Sequence, residues 1–171
     1  RRSTDDEGTP VVRRWLLRDG KVEEPISDVA WSRTSDKLTP GSGRRAHRTA
    51  LPGPRSTFLE LVAGETPTTE LFAAAEGGLW IPEASRGALD PRTGEFSLGF
   101  PYARRIYRGE LAESLGPCGL SGRVADLLAR IVTVGSEVRA GGAGWCAKDG
   151  QKLPVWANVP PVAMDGVEVS A

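Results

Sequence analysis

Apolar and polar positions alternate along this chain in short runs, and turn residues break the runs every few positions. Val11-Val12-Arg13-Arg14-Trp15-Leu16-Leu17 is β-rich, and Arg18-Asp19-Gly20-Lys21 follows it. Asp-Gly between two such runs predicts a two-residue hairpin. The return path, Val22 to Trp31, carries Pro25, which fits an edge or irregular strand. Phe58-Leu59-Glu60-Leu61-Val62 and Glu95-Phe96-Ser97-Leu98-Gly99-Phe100 both alternate like strands. Leu79-Trp80-Ile81 reads as the start of a buried strand, and Asp90-Pro91-Arg92-Thr93-Gly94 as a turn. Tyr102–Tyr107 and Leu111–Leu115 flank Arg108-Gly109-Glu110, a second hairpin. Lys148-Asp149-Gly150-Gln151 is a further turn, and Met164 to Val169 closes the chain as a short strand.

The helical period occurs twice. Thr66 is placed to cap a helix that has Pro67 at its first position and Glu70 in its first turn. Leu71, Phe72 and Ala75 form its apolar stripe, and Gly77-Gly78 ends it. Ser121 is placed to cap a second helix, with Val124, Leu127, Leu128 and Ile131 on one face. Arg123, Asp126 and Arg130 take the wet side. The pattern predicts an α+β fold, mostly antiparallel β-sheet, sandwich or barrel-like, with two short helices of about three turns each.

At 171 residues the chain is long enough for about one domain. Formal net charge is zero, so no global field draws it to nucleic acid or a membrane. No apolar run approaches the roughly 20 residues that a spanning helix needs. The start, Arg1-Arg2-Ser3-Thr4-Asp5-Asp6-Glu7, has neither the apolar segment of a signal peptide nor an opening Met, and reads as the middle of a longer protein. Two cysteines, Cys118 and Cys146, do not make a disulfide framework, although a bridge between them stays open. A reducing, cytoplasmic setting is the simpler expectation. His47 is the only histidine, so a three-histidine metal site cannot be built from this chain alone.

Lys37 to Leu59 is of another kind. It holds Gly41-Ser42-Gly43-Arg44-Arg45-Ala46-His47-Arg48 and Leu51-Pro52-Gly53-Pro54-Arg55-Ser56-Thr57, and no acid falls between Asp36 and Glu60. Glycine, proline and arginine together predict an ordered loop that presents cations. No aromatic is interleaved with them, which argues against a nucleic-acid contact. Arg44, Arg45 or Arg55 would pair with carboxylates, either of a peptide ligand or of the protein itself. A solvated or salt-bridged loop is the plainer reading. His47 reads as a lone loop histidine.

The most distinctive stretch is Gly141-Gly142-Ala143-Gly144-Trp145-Cys146-Ala147-Lys148. Glycines before a thiol leave the backbone open to another chain or a ligand. A cation such as Lys148 near a thiol favours the thiolate, the form that binds metal or attacks. The alternative is a small buried Cys packed beside Trp145.

Five segments in order resemble the C-terminal domain of the TldD/PmbA family of peptidases. They are Asp5-Asp6-Glu7-Gly8-Thr9-Pro10, Gly41-Ser42-Gly43-Arg44-Arg45, Pro54-Arg55-Ser56-Thr57, Ile131-Val132-Thr133-Val134-Gly135 and Gly144-Trp145-Cys146-Ala147-Lys148-Asp149-Gly150-Gln151. The resemblance implies a TldD-like zinc metallopeptidase, in which Cys146 matches the family's cysteine ligand. The two imidazoles and the glutamate base would come from a His-Glu-x-x-x-His helix in an N-terminal half absent from this chain, which by itself is inactive. It also implies a heterodimer with a TldE/PmbA-like subunit and digestion of unfolded or leader peptides. Gly142, Gly144 and Trp145 beside the thiol, with Arg45 and Arg55, are the candidate peptide contacts. Phe58 and Gly53 depart from the family's pattern and bear on how their loop is held. The competing reading within the family is a metal-free TldE-like subunit with Cys146 structural. Outside it, the competing reading is an unrelated module that binds an anion through the Arg44–Arg55 loop.

Overall fold

Three of the turn signals close hairpins with the backbone that two-residue loops demand. In the computed structural model, which describes residues 3–170, Asp19 and Gly20 have φ of 50° and 73°. Arg108 and Gly109 have 52° and 71°, and Asp149 and Gly150 have 51° and 69°. Two successive positive φ values mark the turn whose twist matches the strands it joins.

In chain order the elements begin with β1 (Leu17–Arg18), β2 (Lys21–Val22), α1 (Val29–Ser32), β3 (Gly43–Arg44), β4 (Gly53–Pro54) and β5 (Phe58–Glu60). Next come α2 (Thr68–Ala74), β6 (Leu79–Trp80), β7 (Arg86–Leu89), β8 (Glu95–Phe100), β9 (Ala103–Tyr107) and β10 (Glu110–Leu115). The last are β11 (Cys118–Arg123), α3 (Val124–Leu128), β12 (Ile131–Val134), β13 (Arg139–Lys148), β14 (Gln151–Val159) and β15 (Val162–Met164). The chain divides into two compact units. One takes in the residues up to Leu59 together with Gly142–Ala157; the other takes in Glu60–Gly141 and the residues from Asn158 on.

The first unit is short on regular structure. β1 pairs with β2, β3 with β4, and the long strands follow the order β13-β14-β5. The expected return strand from Val22 to Trp31 stops after two residues. Asp28 then caps α1 instead, its carboxylate accepting the Trp31 amide at 2.8 Å. Two carboxylates, buried Asp5 and partly buried Glu7, hold the loops. Asp5 accepts the amides of Glu7 (3.0 Å), Thr9 (2.9 Å) and Gly43 (2.9 Å). Glu7 accepts the Val29 amide at 2.9 Å.

The second unit carries the apolar core. Its ladders, β10-β9-β6, β11-β8-β7 and β12-β15, are antiparallel. β8 and β11 run in register from Phe100 opposite Cys118 to Glu95 opposite Arg123. Leu71 of α2, Phe100, Ala103 and Ile106 are buried together in this unit.

The α+β, antiparallel expectation holds, with corrections. There are three helices among the described residues, not two, and none is three turns long. Thr66 does not cap α2; Pro67 stands there, and Thr66 makes a parallel bridge to Gly135. Ser121 lies in β11 and Ile131 opens β12, so α3 keeps five residues. The sheets are small and not closed into a barrel. Leu79 lies on an edge strand and is 37% exposed rather than buried. The last strand is β15, and Val167–Val169 lies outside it. No helix among the described residues is long and apolar enough to cross a membrane.

Candidate functional site

β13 sets the direction of the thiol. Successive side chains on a strand point to opposite faces. Gly142, Gly144 and Cys146 are accordingly partly buried, while Ala143, Trp145 and Ala147 are exposed. Trp145 is 63% exposed, with the Lys152 ammonium 4.9 Å above its ring. β13 lies at one edge of the order β13-β14-β5, so a backbone can be added along it.

Beneath Cys146 sits Arg55, which follows directly on β4 and is 1% exposed. Its Nη1 donates to the Cys146 carbonyl at 3.2 Å and reaches Cys146 Sγ at 3.4 Å. Its Nη2 donates to the Lys148 carbonyl. The Arg55 amide donates to Ser42 O at 3.0 Å, which fixes the residue at its own backbone. Its Nε is buried without a hydrogen-bond partner. Arg44, 7% exposed, donates to Ser56 O (2.6 Å) and Pro154 O (2.9 Å). Two cations of the loop therefore turn inward to carbonyl oxygens.

Arg45 is only partly buried. Its amide donates to Asp6 and its guanidinium to Arg48 O at 3.1 Å. His47 is exposed, its ring 2.9 Å from Thr49 Oγ1, and among the described residues it joins no group of metal-ligating side chains. Both cysteines are free, so the Cys118–Cys146 bridge is not formed. The sequence reading missed Gln151. Its side chain accepts the Ala46 amide (2.8 Å) and donates to Leu51 O (3.0 Å), which seats the arginine loop. The one local signal for the inward turn was the absence of acids in the loop. The guanidinium groups of Arg44 and Arg55 bond to carbonyls of Ser56, of Pro154 in β14 and of Cys146 and Lys148 in β13.

Among the described residues no three of His, Cys, Asp and Glu cluster as a metal would need. The donor chemistry does fit a single ligand. A thiol held by an N–H···S contact keeps lone pairs for a metal, and such outer contacts commonly orient metal ligands.

The chain belongs to the family described as the PmbA/TldA metallopeptidase C-terminal domain, whose model matches residues 1–171. It is similar to a metalloprotease TldD homolog of Haemophilus influenzae, 29% identical over 166 residues, covering 96% of this chain and 34% of that protein. It is also similar to a metalloprotease of Archaeoglobus fulgidus, 29% identical over 159 residues, covering 92% and 36%. TldE from Thermococcus kodakarensis shares the fold with a TM-score of 0.81 at 18% identity, over 99% of this chain and 36% of that one. The chain spans about a third of the length of the curated relatives it matches. Their names imply a metal.

Proposed function

We propose that this chain is the C-terminal part of a TldD-like zinc peptidase and that Cys146 supplies one ligand to the metal. The observation that carries the reading is the Cys146 sulfur on an edge strand, held by a buried guanidinium 3.4 Å away. The remaining ligands and the general base belong to a His-Glu-x-x-x-His segment outside these residues. When bound, zinc would activate a water for attack on a peptide carbonyl. The chain's own residues do the binding. An unfolded or leader peptide pairs along the β13 edge, where Gly142 and Gly144 admit its backbone and Trp145 offers an exposed apolar face. Arg45 is the loop cation open to a peptide carboxylate, and Arg55 serves the strand from below. The setting is cytoplasmic, and the partner is a TldE/PmbA-like subunit. Neither nucleic acid nor a membrane is a partner.

The test uses the complete protein or complex that contains the His-bearing segment. Zinc content is measured with and without Cys146→Ser. Loss of about one zinc per site, together with peptidase activity, is expected. Undiminished zinc in the variant would end the reading and favour the metal-free TldE-like alternative, which the shared fold does not separate from it.

A further inference from the structure

We infer that Arg55 is the positioning residue for the Cys146 ligand, setting the rotamer and charge environment of its sulfur; this rests on the metal-ligand reading above. One guanidinium spans three acceptors on one stretch of β13: the carbonyls of Cys146 and Lys148, and the Cys146 sulfur itself. The carbonyls of residues 146 and 148, two apart on the strand, point to the same side of it, so the planar fork can grip both. The sulfur is held on the side of its own carbonyl, because the same Nη1 serves both.

Among the described residues no carboxylate pairs with Arg55, although it is 1% exposed and its Nε is unmet. A buried cation without a counter-ion is costly. Of its described partners, only the sulfur can carry negative charge, and a metal-bound thiolate would supply it. The buried cation and a bound metal would then share one thiolate. A lysine cannot reproduce this, since its ammonium is a point donor without a fork.

The experiment loads the complete protein, His-bearing segment included, with cobalt(II) in place of zinc. It follows cobalt affinity and the sulfur-to-cobalt charge-transfer band in the wild type, Arg55→Gln, Arg55→Lys and Cys146→Ser. Cys146→Ser is expected to abolish the band. Arg55→Gln is expected to keep the stoichiometry, weaken cobalt binding about 10–100-fold and shift or diminish the band. Arg55→Lys is expected to rescue it only in part. If both arginine variants match the wild type in affinity and band while Cys146→Ser loses it, the role of Arg55 is overturned and the peptidase reading stands. If Cys146→Ser leaves the band intact, the peptidase reading itself falls. Where a substitution at this buried position prevents folding, as circular dichroism would reveal, the wild type decides. Cadmium loading should move the resonance of the Arg55 Nη1 protons, and an unmoved resonance would overturn the proposal.

Discussion

The two units bury opposite kinds of side chain. Among the described residues, glycine and proline apart, those buried in the first unit are Asp5, Ser27, Asp28, Arg44, Arg55 and one apolar residue, Leu153. Those of the second are Leu71, Phe100, Ala103 and Ile106. Apolar burial is non-directional and tolerates small shifts. Hydrogen bonds fix distance and angle, and a satisfied buried network specifies one arrangement. The candidate site lies in the polar unit, where hydrogen bonds can fix the direction of a thiol.

The sharpest way to break the contrast is to remove an apolar group. Ile106, 2% exposed, donates its amide to Gly78 O and accepts from Gly77, so its backbone stays tied when the side chain shrinks. Ile106→Ala should cost about 2–5 kcal/mol, because the cavity left behind collapses only in part. A denaturant midpoint unchanged by this substitution would mean that the second unit does not depend on its apolar centre.

The polar unit should answer to a different substitution. Asp5→Ala strips an acceptor from three amides, of which the Gly43 bond is buried. The expected cost is about 1.5–3 kcal/mol, the range for hydrogen bonds to a charged group with one donor left unmet. Hydrogen exchange should rise first at the amides of Glu7, Thr9 and Gly43. Asp5→Asn, which keeps one acceptor oxygen, should fall between the two. Equal protection in Asp5→Ala and the wild type would show that the carboxylate does not organise the loop.

A smaller effect is expected at α1. The Asp28 side chain caps a single turn whose other contacts are few, so Asp28→Ala should cost about 1 kcal/mol. Asp28→Ser should recover most of it by offering the Trp31 amide another oxygen. If the serine variant is no more stable than the alanine one, the carboxylate acts through charge and not as a cap.

What could be read ahead of the structure follows the same division between local and distant causes. Asp19-Gly20, Arg108-Gly109 and Asp149-Gly150 were legible because a two-residue hairpin makes its demand on φ within the loop itself. The helix over Val124 to Ile131 was read too long. Pairing of Gly122 with Phe96 and of Arg123 with Glu95 claims its start, and pairing of Ile131 with Met164 claims its end. A short helix has little propagation energy with which to resist two ladders. Cys146 stood out by its setting of glycines. Its contact with Arg55 spans 91 positions, and no periodicity shows a contact at that range. Whether the loop's arginines point outward or inward depended on carbonyls of Cys146, Lys148 and Pro154, which composition cannot place.

The finest test of the contrast is acid. In the second unit the amides of Arg108 and Gly109 donate to the Glu76 carboxylate, each at 2.9 Å, and hold its pKa below the ordinary glutamate value. In the first unit, desolvation pushes the Glu24 carboxyl up. Hydrogen bonds from Thr39 and the Arg14 charge outweigh it, and the net shift is also downward. A carboxylate whose pKa is depressed on folding stabilises fully above its unfolded pKa, and that contribution is lost as pH falls through the folded value. Both contributions are therefore complete at neutral pH and fade on the acid side of the ordinary glutamate range. Glu76→Gln should flatten the acid limb of stability against pH for the β9–β10 hairpin, read as exchange at Arg108 and Gly109, and leave the neutral-to-alkaline limb parallel to the wild type. Glu24→Gln should do the same for the Thr39 amide, with the added loss of its contact with Arg14 at 3.4 Å. Because Glu76 is solvent-exposed, its effect should shrink further in high salt, while that of Glu24, partly buried and bonded to a partly buried arginine, should persist better. An acid limb identical in wild type and Glu76→Gln would show that the hairpin turn holds itself without its carboxylate.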